Sequence, residues 1–196
     1  MSTKKQSYEF ATAWQTSLNA STLWMANTFT TDTAYNATSI KLWMYNTGDC
    51  TGQTITASLR ATSGAIPTGA DLGGIMGTMD AGTITTDKGG ALYEITFSSG
   101  IALSTSTTYA IIFRNNTSGT YYPRLFGDTP GLGYGYCRST NSGSTWGDYP
   151  FTLYYEVWGE DLPTTSIKSV DGLAIASVKS VNGLAKASIK NINGLA

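Results

Sequence analysis

The sequence predicts an all-β protein, an antiparallel sandwich of the jelly-roll type followed by a short tail of repeated β-hairpins. Three observations lead to this prediction. Several segments alternate apolar and polar residues, which is the period of a half-buried strand. Clusters of Gly, Ser, Thr, Asn and Pro separate these segments at short intervals, as in antiparallel sandwiches. Residues 166–196 repeat with a period of eleven, which indicates one stacked structural unit.

Residues 1–26 are predicted to form a lead-in segment, and residues 6–26 are the least regular part of the chain. Phe10, Trp14, Leu18 and Leu23 lie loosely at helical spacing. A short helix and an irregular strand therefore both remain open for this segment.

Residues 27–158 are predicted to form the sandwich. Residues 109–113 are apolar on both faces, which predicts a central strand. The remaining strands are predicted from apolar–polar alternation at 40–45, 54–61, 93–97 and 151–158. Turn clusters are predicted between them at 46–49, 62–64, 67–69, 98–100 and 115–119.

A polar stretch at 159–165 contains a proline and is predicted to be a linker. The tail after it reads SIKSVDGLAIA, SVKSVNGLAKA and SIKNINGLA. Each copy has Asp-Gly or Asn-Gly between apolar residues, which is the strongest short hairpin signal. One glycine and several β-branched residues per copy disfavour a helix. Nine residues between turns predict strands of about 30 Å.

The tail is expected to need a binding partner. A three-stranded meander with so few large side chains buries too little apolar surface to stand by itself. The tail should therefore pack on its own domain, on a second copy of the chain or on a host structure. The expected assembly residues flank or form the turns: Val170, Gly172, Leu173, Val181, Gly183, Leu184, Ile192, Gly194 and Leu195.

Charge is unevenly divided along the chain. Residues 166–196 carry four lysines against Asp171, a net charge of +3, so the rest of the chain sums to −4 within the total of −1. Spaced lysines along the strands more often protect an exposed edge than bind nucleic acid. We therefore expect no nucleic-acid partner.

The residue types limit the possible chemistry. The chain has no histidine, which excludes Ser-His-Asp and Cys-His catalysis and makes a zinc site improbable. A glycosidase would need two carboxylates, and most candidates fall in turns or on solvent faces. We therefore expect no enzymatic activity. These carboxylate candidates are Glu94, Asp128, Asp148, Glu156, Glu160 and Asp161.

No cofactor is expected, although Ca²⁺ remains open. Asp71, Asp80 and Asp87 could supply hard oxygen ligands, but their spacing is not that of an EF-hand. Cys50 and Cys137 could form a disulfide or remain two isolated thiols, because two cysteines define no disulfide framework.

Aromatic rings that could stack on sugars gather in the Gly-rich stretch 116–150. Glycine neighbours should leave the rings of Tyr134 and Tyr136 uncovered, so these two are the first candidates for glycan binding. The other aromatic residues of the stretch are Tyr121, Tyr122, Trp146 and Tyr149. Packing of these rings within loops or against another subunit is the favoured alternative.

Three segments resemble an accessory module of large bacterial secreted proteins and phage proteins. Ser58–Leu72 is similar to its S-I-x-A-T-S-G-x-P-T-G-x-x-L hairpin, and the strands at Leu92–Phe97 and Leu103–Ile111 match its next two motifs. The resemblance covers residues 27–158. It implies a carbohydrate-binding-type β-sandwich that anchors or displays and has no catalytic activity.

Two further resemblances are confined to short segments of the chain. Ser139–Trp146 resembles the Asp-box hairpin S-x-D-x-G-x-T-W, with Asn141 in place of the Asp. In the families that carry it, this box is a structural turn, so Asn141, Gly143 and Trp146 are interpreted as a hairpin staple. The eleven-residue repeat resembles S-I-K-S-V-N-G-L-A elements of phage virion-associated proteins.

Together these features predict a non-enzymatic structural protein of a virion, such as a bacteriophage decoration, fibre or tail component, or of a comparable surface assembly. The chain has no apparent signal peptide and no apolar run long enough to cross a membrane. We therefore expect synthesis in the cytoplasm, a final location in a virion or on an extracellular surface, and no membrane partner. Expected partners are further copies of the chain and other structural proteins. A glycan-binding adhesion module that recognises cell-surface glycans is the alternative.

Overall fold

The computed structural model describes residues 1–9, 14–128, 136–149 and 151–162, with four two-residue strands further along the chain. The chain divides into two compact units, Met1–Asp161 and Leu162–Ala196.

Fourteen strands of the first unit form a sandwich of two antiparallel sheets. The strands of the first sheet are β1 (Thr3–Tyr8), β2 (Trp14–Ser17), β4 (Tyr35–Asn46), β8 (Ala91–Leu103), β10 (Pro123–Asp128), β13 (Thr152–Leu153) and β14 (Tyr155–Asp161). Those of the second are β3 (Trp24–Thr30), β5 (Thr54–Ser63), β6 (Ile66–Thr68), β7 (Met76–Asp80), β9 (Thr108–Asn115), β11 (Tyr136–Ser139) and β12 (Gly147–Asp148). The prediction of an all-β sandwich is confirmed.

The strand order within each sheet and a pairing between β7 and β8 define how the two sheets are connected. The first sheet runs β1-β14-β4-β8, and β10 continues the row of β14 beside the end of β4. The second runs β12-β11-β3-β9-β5-β7. The pairing of Gly77 on β7 with Phe97 on β8 joins them. The central position predicted for residues 109–113 is confirmed, because β9 lies between β5 and β3.

The core lies between the two sheets and is built from the predicted alternation. Ile40, Leu42 and Met44 of β4 are fully buried, and Ile111 and Phe113 face them as part of the same apolar cluster. Burial of each such side chain contributes about 1.5–3 kcal/mol relative to exposure. The residues that stabilise the sandwich core are thus residues whose burial the sequence pattern predicts.

The amino-terminal segment belongs to the sandwich and is not a separate lead-in. Strand β1 pairs with β14 along Thr3–Tyr8, and β2 pairs with β10. The helical alternative is wrong where the structure describes the segment, because Trp14–Ser17 is a strand that completes the hydrogen bonds of a neighbour.

The turn predicted at residues 98–100 is also corrected. These residues lie within the continuous strand β8. The pairing of β8 with β4 shifts there, from Ser39 opposite Thr96 to Ala37 opposite Ile101. The extra residues form a bulge, which a cluster of Ser and Gly accommodates as readily as a turn.

Candidate functional site

The first two copies of the repeat each contain one described antiparallel strand pair, and the two pairs have the same register. Strand β15 (Ser169–Val170) pairs with β16 (Leu173–Ala174), with Val170 opposite Leu173. Eleven residues later β17 (Ser180–Val181) pairs with β18 (Leu184–Ala185), with Val181 opposite Leu184. The described part of the tail is therefore two short antiparallel strand pairs, and the predicted hairpins remain a prediction.

The other assembly residues lie outside the described residues: Gly172, Gly183, Ile192, Gly194 and Leu195. The predicted nine-residue length of the tail strands also falls outside them. In the described part, two identical strand pairs recur at the period of the sequence repeat.

Tyr136, a first candidate for glycan stacking, is buried in the core. Its side chain is 3 % exposed, and its ring packs 5.6 Å from that of Tyr149 and 5.8 Å from that of Phe151. The expectation of exposure was wrong because Tyr136 pairs with Asn27 on the neighbouring strand and points between the sheets. Its companion candidate Tyr134 lies outside the described residues.

Tyr121 is the exposed member of the other candidate pair. Its ring lies on the backbone of Gly48, where an added Cβ would be 2.3 Å from Tyr121 Cδ1, and the residue is 48 % exposed. Tyr122 is half-buried, and its backbone N–H donates to Thr47 Oγ1 at 3.0 Å. Of the two, only Tyr121 presents a large open ring surface.

The Asp-box-like segment is a hairpin staple, as its sequence indicated. Strands β11 and β12 pair on either side of it. Thr145 N–H donates to Asn141 Oδ1 at 2.9 Å, and Asn141 Nδ2 donates to Thr145 Oγ1 at 2.9 Å. Ser139 Oγ accepts from Gly143 N–H at 2.8 Å. Asn141 thus closes the turn through hydrogen bonds to both the backbone and the side chain of Thr145.

The hairpin packs its tryptophan on the outer face of the second sheet. Trp146 and Trp24 cover a small apolar cluster formed by Ala26, Ala110, Ile112 and Cys137. A Cβ on Gly143 would lie 2.6 Å from the ring of Trp24, so only glycine allows this approach. Gly143 also has a φ of +78°, which favours glycine on conformational grounds.

A partly buried ionic cluster that the sequence did not reveal lies beside Trp24. Asp71 accepts from Arg60 Nε at 2.8 Å and from Arg114 Nη2 at 2.6 Å. The three side chains are only 9–15 % exposed. The guanidinium of Arg114 lies 4.4 Å from the centre of the Trp24 ring, at cation–π distance. Two cations already neutralise Asp71.

The electrostatics of Asp71 follow from this pairing. Burial alone would raise its pKa, but hydrogen bonds from Arg114 and Arg60 outweigh burial and hold the pKa below its ordinary value. Both carboxylate oxygens of Asp71 are thus engaged by guanidinium groups in this structure, and the calcium alternative remains a prediction. The other two calcium candidates stabilise turns. Asp80 accepts a hydrogen bond from Gly82 N–H, and Asp87 accepts one from Gly89 N–H.

Glu156 is the most enclosed of the acid candidates. It is 6 % exposed and accepts from Trp158 Nε1 at 2.7 Å and from Tyr154 Oη at 3.0 Å. Burial would raise its pKa, but these donors and the Lys4 ammonium at 3.4 Å hold the pKa below its ordinary value. A general acid needs the opposite shift.

The other acid candidates form ion pairs, accept a hydrogen bond or are exposed to solvent. Glu94 pairs with Lys41, Glu160 with the terminal ammonium and Asp161 with Lys5. Asp128 accepts from Tyr8 Oη at 3.1 Å, and Asp148 is an exposed residue of β12.

Both cysteines are free and buried. Cys50 and Cys137 are each 1 % exposed, and they form no disulfide. Burial raises the pKa of Cys50 and raises that of Cys137 to about 11. The two isolated thiols are therefore the correct alternative, and both are chemically quiet.

An open cavity, here called the edge groove, lies beside the edge strand of the first sheet. It is bounded by residues 6–8, 28–30 and 64–65, by Thr108 and by Tyr155. Its volume is about 480 Å³, within the range of small-molecule sites. The sequence does not predict this groove, because the described residues of its walls come from five distant segments.

Comparisons with known proteins do not assign this chain to a family. No family model matches this chain, and no curated protein matches it in sequence. Among the described residues, no helix is long and apolar enough to cross a membrane, and no group of three or more His, Cys, Asp or Glu side chains could hold a metal ion. The family resemblances and the functions they imply remain predictions.

Proposed function

We propose that this protein is a non-enzymatic structural component of a virion, or of a comparable surface assembly. In this proposal the sandwich is displayed and the repeat tail attaches it to further copies of the chain or to an underlying shell. The observation that carries the proposal is the occurrence of two antiparallel strand pairs with identical register, eleven residues apart. Identical units repeated along a chain can each present the same surface to a partner.

Strand addition is the proposed mode of attachment. Two-stranded hairpins have outer edges whose N–H and C=O groups another strand can complete. Because every tail carries the same unit, copies of the chain can pair with one another, and a closed ring or an open filament can result.

Charge supports a contact of this kind between copies. The tail carries a net charge of +3, and the remaining residues carry −4. Opposite net charges on the attaching element and the displayed unit favour association over repulsion, especially at low ionic strength.

Turn variants test this mode of attachment. Replacing Gly172, Gly183 and Gly194 together by Val should abolish self-association measured by light scattering, because Val is strongly disfavoured at the positive φ of a type I′ turn. The matched control replaces Gly52, Gly64 and Gly69 of the sandwich loops by Ala, and its association should be unchanged. Unchanged association of the tail variant would contradict hairpin-mediated attachment. Neighbouring capsid or tail genes would support the virion setting specifically.

Glycan binding is the second candidate function. The observation that favours it is the Tyr121 ring, which is 48 % exposed and supported from below by Gly48. On a glycan array, Tyr121→Ala should lose binding and Tyr121→Trp should retain it, since the ring supplies the stacking surface. Equal binding by both variants would exclude Tyr121 as the sugar platform.

A further inference from the structure

We infer that a pocket at the edge of the second sheet binds a small zwitterionic amino acid, a ligand that carries one carboxylate and one ammonium group. This pocket, here called the hairpin pocket, is lined by Arg138, Thr140 and residues 145–149. It lies at the Asp-box-like hairpin, where β12 is the outermost strand of the sheet. The inference is independent of the repeat tail and of Tyr121.

The walls of the hairpin pocket are held in place before any ligand arrives. Two hydrogen bonds between Asn141 and Thr145 close the loop that carries Thr140. At the last residue of the lining, Tyr149 N–H donates to the backbone oxygen of Tyr136 at 3.2 Å. A site that is ordered in advance loses less conformational entropy on binding than a loop that must first be ordered.

Arg138 supplies the cation of the hairpin pocket. Its guanidinium lies 4.5 Å from the centre of the Tyr149 ring, at cation–π distance. Among the described residues, no carboxylate forms an ion pair with Arg138 and no oxygen accepts a hydrogen bond from it. A guanidinium placed over a ring keeps its N–H donors, and two of them can bind both oxygens of one carboxylate. Arg138 is therefore suited to hold the carboxylate of a ligand.

Asp148 supplies the anion of the same pocket. The residue is exposed on β12, and within the part of the chain that the structure describes it forms no ion pair and accepts no hydrogen bond. Arg138 and Asp148 therefore line one pocket without neutralising each other. A ligand with a single charge would be attracted by one of these groups and repelled by the other, whereas a zwitterion can satisfy both.

Two threonine hydroxyls can complete the binding of the ligand carboxylate. Thr145 Oγ1 accepts from Asn141 Nδ2 at 2.9 Å, so its own O–H can still donate to a ligand. Thr140 is exposed, and no described residue forms a hydrogen bond with its hydroxyl. The pocket volume of about 290 Å³ lies at the lower limit of small-molecule sites, which restricts the ligand to few non-hydrogen atoms.

Saturation-transfer difference NMR on the full chain tests the inference, because it detects weak binding and tolerates large assemblies. The ligands are glycine, β-alanine and γ-aminobutyrate, in which the separation of the two charges increases. Propionate carries the carboxylate alone. We expect one of the amino acids to bind with a Kd of about a millimolar and about tenfold more tightly than propionate. Equal binding of propionate and the best amino acid would overturn the zwitterion. Failure of all the amino acids to bind at millimolar concentration would overturn the site.

Charge variants of the pocket give a more specific readout. Asp148→Asn should weaken amino-acid binding about tenfold, because the ligand ammonium loses its charged partner. The same variant should strengthen propionate binding, because a repulsion is removed. Arg138→Gln should weaken the binding of both ligands. The matched controls Asp87→Asn and Lys88→Gln remove charges outside the pocket and should bind as the wild type does.

The opposite responses of the two ligands to Asp148→Asn separate a binding role from a structural one. A change in the same direction for the amino acid and for propionate would overturn the inference, as would an equal loss of binding in the matched controls. The urea midpoint, followed by tryptophan fluorescence, checks that each variant is folded. If Arg138→Gln does not fold, Asp148→Asn decides the outcome by itself, since its side chain is exposed.

Discussion

Asp71→Asn tests the ionic cluster that fastens the 66–75 segment to the second sheet. The substitution keeps the shape of the side chain and removes its charge. Arg60 and Arg114 then face each other around a neutral group, with side chains only 12 % and 15 % exposed. We expect a large loss of stability because uncompensated cations would remain in a poorly hydrated place.

The magnitude follows from the burial of the cluster. Removing one partner of a fully buried ion pair costs about 3–5 kcal/mol, and this cluster keeps slight contact with water. A loss of about 3 kcal/mol in the free energy of unfolding is therefore expected. For a domain of this size that corresponds to a decrease in Tm of about 6–12 °C.

Urea denaturation followed by tryptophan fluorescence is the appropriate assay. All five tryptophans lie between residues 14 and 158, so the signal reports the sandwich alone. Asp87→Asn is the matched control, because its side-chain oxygen can still accept from Gly89 N–H. A loss in Asp71→Asn no larger than in this control would refute the reasoning.

The stability difference between wild type and Asp71→Asn should also depend on pH, and the direction of the change can be derived from the pKa shift of Asp71. The pKa of Asp71 is lower in the folded protein than its ordinary value of 3.8. The unfolded chain therefore binds the proton first as pH falls, and the contribution of Asp71 is complete above about pH 4 and lost below it. The stability gap between wild type and Asp71→Asn should shrink from pH 7 to pH 3. A constant gap would contradict the assignment.

Three further predictions concern other parts of the sandwich. Asn141→Ala should cost about 1–2 kcal/mol in urea denaturation, whereas Asn141→Asp should cost little because a carboxylate can accept from the same backbone N–H. Gly77→Ala should cost at least about 2 kcal/mol, since its Cβ would lie 2.4 Å from a backbone oxygen of β8, while Gly147→Ala, with 4.0 Å of clearance, should stay within about 0.5 kcal/mol. Ellman's reagent should titrate Cys50 and Cys137 only after unfolding, and reaction of either in the folded protein at pH 8 would contradict their burial.

The sandwich was predictable because local alternation and tertiary burial agree in its central strands. In β4 and β9 the apolar positions read from the sequence are the ones that face the core. The Asp-box-like hairpin was also predictable, since its hydrogen bonds join residues only two to four positions apart. Interactions between residues that are close in sequence leave a residue pattern that can be recognised in a single sequence.

The errors arise where distant segments decide the outcome. Tyr136 has glycine close by in sequence, yet pairing with β3 turns its ring into the core. Residues 98–100 have the composition of a turn, but continued pairing with β4 holds them in a strand. In each case long-range pairing outweighed the local preference.

The ionic cluster and the edge groove could not be found from the sequence for a related reason. Asp71, Arg60 and Arg114 are separated by 11 and 43 residues, and no local spacing marks them as partners. Arg60 and Arg114 share one face of the second sheet only because β5 and β9 are neighbours in a specific register. A sequence signal would require paired variation among related chains.

Native mass measurement of the full chain and of a chain ending at Asp161 tests whether the repeat tail is the attachment element. The cut falls at the boundary between the two compact units. We expect the full chain to associate into oligomers or filaments, and the shortened chain to be a folded monomer with an unchanged tryptophan fluorescence spectrum. Equal association of the two chains would contradict the claim that the repeat tail is the attachment element.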